Sequence, residues 1–198
     1  MIEKNQGTVA RAVDAGANGL RLFLFFGQDE AASAALAARL GAAMGADAER
    51  IDLDAETLKG DPARLGDEAC AISMFGGARW IRATGGDEIT PAVAALLEGP
   101  RGSPVAVVAG DLKPKTSKLV ELVAASREAI AYQSWRPKEG EAGDIARRMG
   151  QQLGLRLSPE VAALVAGASN GERAVMEREL EKLALYVDAS PDHNFLKA

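Results

Sequence analysis

The sequence predicts a three-layer α/β domain built on a mostly parallel sheet, followed by a small all-helical domain. Three observations carry this expectation. Residues 22–26 (Leu-Phe-Leu-Phe-Phe) and 104–109 (Pro-Val-Ala-Val-Val-Ala) are apolar without alternation, as strands covered by helices on both faces are. Short strand signals alternate with helical stretches as far as Tyr132, the order expected of a helix-covered parallel sheet. Beyond Trp135-Arg136-Pro137 only helical patterns follow. The boundary is therefore placed at residue 137, with an α/β domain over 1–137 and a helical domain over 138–198.

The first strand ends at Gly27, and Asp29 is placed to cap the helix that follows. In that helix Ala32, Leu36, Leu40 and Met44 recur every four residues and mark one buried face. A second strand fits residues 50–53, and helical stretches fill 55–74. Arg79-Trp80-Ile81-Arg82-Ala83 reads as a third strand, and residues 91–98 as a short helix. After the strand at 104–109, Thr116 is placed to cap a helix that buries Leu119, Leu122 and Val123, and residues 129–132 make a fifth strand.

In the second domain residues 139–153 form one helix. Ser158 then stands as an N-cap before Pro159 at the first helical position, opening a helix to Ala166. Asn170 caps a third helix, in which Val175, Leu180, Leu183 and Val187 supply an apolar side.

Composition narrows the function classes. Hydrophobic residues make up 47% of the 198 and charged residues 26%, an ordinary globular balance. The net charge of −5 is the opposite of what a protein neutralising many phosphates alone would carry. Contact with nucleic acid is therefore expected to be local or made through partners. The single cysteine, Cys70, excludes an intramolecular disulfide framework and a cysteine-cluster metal site; a packed, unreactive thiol is expected. The start carries no secretory pattern, and the apolar run at 22–26 is far too short to cross a bilayer. A cytoplasmic protein without membrane contact is expected.

An α/β domain followed by a helical one raises the question of a phosphate-binding loop after the first strand. Such a loop needs glycines and a Lys-Ser/Thr pair at the helix start. This chain has Gly27-Gln28-Asp29-Glu30-Ala31-Ala32-Ser33, with one glycine, no lysine and two carboxylates. Carboxylates suit a helix N-terminus but repel phosphate. Asp87-Glu88 resembles a magnesium-holding pair only superficially, since Gly85-Gly86 separate it from its strand; an acidic surface turn is expected. His193, the only histidine, lies in a tail without apolar period, so no serine or cysteine has a histidine base in the folded body. No catalytic residue, cofactor site or metal site is expected.

One segment stands apart. In residues 65–77 (Leu-Gly-Asp-Glu-Ala-Cys-Ala-Ile-Ser-Met-Phe-Gly-Gly), Leu65, Ala69 and Ile72 fall on one helical stripe, Ala69 about 40° and Ile72 about 20° from Leu65. On the same helix Met74 would lie about 180° from Leu65 and Phe75 about 80° off the stripe. Gly76-Gly77 then stop the helix. Met74 and Phe75 at a helix tip would offer an apolar plug to a partner's pocket. The alternative is a helix ending one turn earlier, with both side chains folded under into the core.

Several segments together resemble the delta-subunit family of bacterial DNA polymerase III. They are Phe26-Gly27-Gln28-Asp29-Glu30, Ile51-Asp52-Leu53-Asp54 and Ile72-Ser73-Met74-Phe75-Gly76-Gly77-Ala78-Arg79. The run from Val108-Ala109-Gly110-Asp111-Leu112-Lys113-Pro114-Lys115 to Leu119 and the run Glu179-Leu180-Glu181-Lys182-Leu183-Ala184-Leu185-Tyr186 belong to the same series. The matches run in order from about residue 20 to 187.

The resemblance implies the fold of the clamp-loader ATPases, an α/β domain plus a helical lid, with the nucleotide machinery lost. It implies a non-catalytic subunit of the polymerase III holoenzyme, a DNA-directed DNA polymerase, that binds and opens the beta sliding clamp for loading onto primed DNA during replication. It assigns clamp binding to Ser73, Met74 and Phe75. The family's pair begins with leucine, and methionine is an unbranched, adaptable replacement. It also implies an all-helical collar domain that meets the other loader subunits and that this chain ends before. Lys113, Lys115 and Lys118 gather where the family faces its neighbours and primer-template DNA; solvated turn lysines are the plainer reading of the same residues. Two rival readings stand beside this one. One is a P-loop-type nucleotide-dependent enzyme with a degenerate loop; the other is a structural subunit of another complex on the same fold.

Overall fold

The computed structural model describes residues 2–73, 76–135 and 139–189. The chain separates into two compact units, Met1–Ser134 and Trp135–Ala198.

In the first unit the strands are β1 (Ile2–Glu3), β2 (Leu22–Gly27), β3 (Glu49–Leu53), β4 (Arg79–Thr84), β5 (Val105–Val108) and β6 (Ala129–Ser134). The helices are α1 (Gln6–Asp14), α2 (Glu30–Met44), α3 (Ala55–Gly60), α4 (Arg64–Cys70), α5 (Thr90–Glu98) and α6 (Lys118–Ala125). One sheet holds all six strands in the order β1-β6-β2-β5-β4-β3, and every pairing is parallel. The expected three-layer α/β class is the one observed, with a wholly parallel sheet.

The continuous apolar run of β2 explains the layering. Successive side chains of a strand point to opposite faces. Phe23 and Phe25 join Val9, Val13, Leu36, Leu40 and Trp80 on the face covered by α1 and α2. Leu22, Leu24 and Phe26 join Leu58, Leu65, Ile81, Val93, Leu96, Leu119 and Val123 on the other. Each of β2's five apolar residues is fully buried, a burial only a central strand between two helical layers can have. Leu22 is set between Val105 of β5 and Ala129 of β6.

Two elements had no strong sequence signal. Strand β1 pairs only Ile2 with Ala131 and Glu3 with Tyr132, too short a stretch to show a period. Helix α1 buries only Val9 and Val13 and is capped by Asn5 Oδ1, which accepts from Gly7 N at 2.8 Å and Thr8 N at 3.3 Å. Both complete the edge of the sheet beside β6.

The cap of α6 is Ser117 rather than Thr116. Ser117 Oγ accepts from Val120 N at 3.2 Å and donates to Asp87 Oδ1 at 2.7 Å. Thr116 instead bonds back to the Lys113 carbonyl through its own N–H at 3.0 Å. Asp87 also accepts from Leu119 N at 3.0 Å, so it is a structural tie to the start of α6 and more than an acidic surface turn.

The second unit contains α7 (Glu139–Gln152), α8 (Pro159–Ala168) and α9 (Arg173–Tyr186), with no strand among its described residues. Ser158 caps α8 ahead of Pro159, accepting from Val161 N at 3.3 Å. Asn170 does not cap α9. It lies at φ 49 beside Gly171 at φ 72, and Gly171 N donates to Ala166 O at 3.0 Å, closing α8. Of the expected apolar side of α9, Leu180 is buried and Leu183 packs beside it, but the face as a whole is shifted. Met176, Leu180 and Ala184, four residues apart, pack inward, whereas Val175 and Val187 are exposed. The core here is thin, built largely of alanines against Ile145 and Met176. Among the described residues no helix is long and apolar enough to cross a membrane.

Candidate functional site

Two places bear on function: the turn after β2, where enzymes of this general architecture cradle phosphates, and the segment between α4 and β4.

At the first, only Gln28 and Asp29 separate β2 from α2. Asp29 is buried, and its Oδ1 accepts from Ala32 N at 2.9 Å, placing a carboxylate where a phosphate would meet the helix N-terminus. Ser33 N donates to Asp29 O at 3.1 Å. From the other side β6 closes the turn. Gln28 N donates to Ser134 O at 3.0 Å. The Ser134 hydroxyl lies 3.1 Å from Phe26 O, 2.9 Å from Asp29 O and 2.8 Å from Ser33 Oγ. With one proton to give, it donates to a carbonyl and accepts from Ser33. Gly27 sits at φ 127, and a Cβ there would fall 2.1 Å from Ser134 O. These residues do not fit a nucleotide's phosphates. The helix N-terminus already holds a carboxylate, the turn carries no lysine, and Ser134 is hydrogen-bonded across the turn. Among the described residues no cluster of three or more His, Cys, Asp or Glu could hold a metal ion.

At the second place the structure corrects the expected helix. Helix α4 ends at Cys70, and Ala71 is extended at φ −65, ψ 140. The Ala69 carbonyl, which a continuing helix would offer to residue 73, instead accepts from Ser103 N at 2.7 Å. The loop before β5 thus ends the helix by taking its acceptor. Leu65 and Ala69 are buried as expected, but Ile72 leaves their stripe and is 90% exposed. Cys70 is likewise exposed, not packed; its Sγ lies 3.7 Å from Pro100 O.

Beyond Ile72 the chain reaches half-buried Ser73, and Gly76 N donates to Ser73 O at 3.2 Å. Met74 and Phe75 lie outside the described residues. Gly76, Gly77 and Ala78 are exposed. The segment borders an open depression of about 360 Å³ lined by Met44, Ile72, Ser73, Arg79, Ser103 and Pro104 among others. Ile72 is the residue that pattern reading missed. Nothing in a helical wheel marks it as exposed, because a loop distant in sequence sets the helix end.

Lys113 and Lys115, on the turn between β5 and α6, and Lys118, the first residue of α6, are all exposed. The Lys113 carbonyl accepts from Thr116 N at 3.0 Å and Ser117 N at 2.9 Å, which folds the turn. They belong to a different connection from the 71–78 segment.

No known family profile and no curated protein matches the sequence. The fold does match solved structures. The Bacillus subtilis DNA clamp loader delta protein superposes with a TM-score of 0.63 at 13% identity, over 93% of this chain and 58% of its own. Domain III of the Thermotoga maritima replication initiation protein DnaA gives 0.58 at 15% identity, over 92% and 82%. The Thermotoga maritima RuvB Holliday junction branch migration motor gives 0.56 at 14% identity, over 96% and 66%. The chain therefore shares its fold with these three solved structures, and it spans 58% of the length of the clamp-loader protein it matches.

Proposed function

We propose that this chain is a clamp-loader subunit of the delta type, which docks on the ring-shaped beta sliding clamp through residues 71–78 and holds the ring open for loading onto primed DNA. The observation that carries the reading is Ile72, a large apolar side chain 90% exposed on an extended stub after α4. Contiguous exposed apolar patches mark protein-binding surfaces, and on this reading Met74 and Phe75, which follow Ser73 in sequence, extend Ile72 into such a patch. Ile72, Met74 and Phe75 would enter an apolar pocket on the clamp, with Ser73 between them. The role is mechanical rather than catalytic, which the blocked turn after β2 supports. On this reading residues 1–137 are the clamp-binding domain and 138–198 the lid. The other loader subunits are met through a collar domain of the kind the family resemblance implies, and the protein works in the cytoplasm. Lys113, Lys115 and Lys118 form a local contact for primer-template DNA or a neighbouring subunit within the assembled loader.

The test is titration of the purified sliding clamp of the same organism with this protein and with the Met74→Ala/Phe75→Ala variant. Burying an apolar side chain of this size contributes roughly 1.5–3 kcal/mol, and a few such anchors dominate most interfaces. The double variant should bind at least about 100-fold more weakly with an unchanged melting temperature. Full affinity in a folded double variant would overturn the assignment. A loss of several kcal/mol of stability instead would make the pair core residues.

A further inference from the structure

We propose that Arg79, the first residue of β4, is a positioning residue for the docking segment, because its guanidinium ties the start of β4 to the end of α4, the two elements from which the segment leaves the body. The inference rests on the clamp-docking reading. Arg79 opens β4, directly after the segment. Its Nη2 donates to Glu68 Oε2 at 2.7 Å and its Nη1 to the Glu68 carbonyl at 3.3 Å, both in the last turn of α4. Its Nε lies 3.6 Å from Glu49 Oε2, at the first residue of β3. One cation thus serves a carboxylate and a helix-end carbonyl on α4, where such carbonyls lack helical partners, and lies beside a second carboxylate, that of its register partner Glu49 on the adjacent strand, without a hydrogen bond to it.

The backbone is pinned at the same two roots. Ser103 N donates to Ala69 O at 2.7 Å, and Glu49 N donates to Ala78 O at 2.9 Å. Between these anchors residues 71–73 and 76–78 include the exposed Ile72, Gly76 and Gly77. The Arg79 side chain is only 10% exposed, so it is withheld from a partner and acts through the segment. Ion pairs this buried add little net stability against an apolar replacement. What this one does is join the two elements that flank an exposed loop. Releasing it frees backbone that docking must then order, and ordering even one residue more is on the order of tenfold in affinity.

The experiment compares clamp binding by the wild-type chain, Arg79→Met, Arg79→Lys and Glu68→Gln, with Met74→Ala/Phe75→Ala as the reference for the docking reading. Amide exchange at residues 71–78 is measured in parallel on the free proteins. Arg79→Met and Glu68→Gln should each weaken binding about tenfold and speed exchange in the segment, while exchange in β2 and β5 stays protected. Arg79→Lys, which keeps one charge contact, should recover part of the loss. If the reference variant loses binding and both Arg79→Met and Glu68→Gln keep wild-type affinity, the positioning role is overturned and the docking reading stands. If the reference variant itself binds normally, the docking reading falls and this inference with it. An Arg79→Met loss confined to a salt-dependent association rate would mean direct charge contact and would also overturn the proposal. Should Arg79→Met fail to fold, Glu68→Gln decides on the same criteria.

Discussion

Gly41 of α2 lies against the indole of Trp80 in β4, so closely that a Cβ at position 41 would fall 2.6 Å from Trp80 Cζ2 and 2.8 Å from Cε2. Trp80 is buried and also carries the Arg50 guanidinium over its ring, 5.9 Å from the centroid. The helix can approach the sheet here because residue 41 has no side chain.

Gly41→Ala should therefore destabilise the protein in spite of alanine's better helix propensity. The propensity gain is about 1 kcal/mol, while overpacking a filled core costs about 1–3 kcal/mol. A net loss is expected in urea unfolding. Gly66→Ala is the contrast, since a Cβ there meets nothing within 4 Å; it should raise stability by a few tenths to about 1 kcal/mol. Equal signs for the two variants would contradict the packing seen at Trp80.

Arg21, just before β2, is 5% exposed and gathers the end of α5. Its Nη2 donates to Leu96 O and Pro100 O, both at 2.6 Å, and its Nη1 to Gly99 O at 3.1 Å. Glu128 Oε2 lies 3.4 Å away. Arg21→Met would keep much of the volume but remove the guanidinium donors from these carbonyls. A loss of about 2–4 kcal/mol is expected, read as a shift in denaturant midpoint. A change below about 0.5 kcal/mol would show that water replaces the guanidinium without cost.

Asp87 gives the fold an acid-sensitive tie. The Leu119 N–H, and next the Ser117 hydroxyl, hold its carboxyl below the usual carboxylate range. A folded-state value below the unfolded value, about 3.9, means its contribution is fully present above that value. It is lost as pH falls through the lower folded value. Asp87→Asn should lower the melting temperature at pH 7 and fall less steeply than wild type between pH 4 and pH 2. Ser117→Ala should cost about 1 kcal/mol through loss of the α6 cap. An unchanged acid limb in Asp87→Asn would assign the acid loss to other carboxylates.

Replacing Lys113 and Lys115 by alanine should flatten the salt dependence of clamp loading in the assembled loader if the turn meets DNA phosphates. An unchanged slope would leave them as solvated turn lysines.

What the sequence by itself determined about this protein is whatever a short local pattern dictates. An unalternating run such as residues 22–26 has only one stable setting, between two helical layers. Asp29 and Ser158 cap the helices that follow them because a cap needs only its own next three residues. The lack of a lysine and the carboxylates after Gly27 are equally local. Long-range contacts decided the rest. The end of α4 is set by Ser103, more than thirty residues away, so the exposure of Ile72 could not be read from its own neighbours. Strand β1 exists only because β6 offers it an edge. The inward face of α9 follows the line of Met176, Leu180 and Ala184 against α7 and α8, since a helix with apolar residues on several sides takes its phase from the partner it packs on. Periodicity records which residues can be buried; where a backbone acceptor or an apolar face is finally used depends on which distant segment reaches it first in the folded chain.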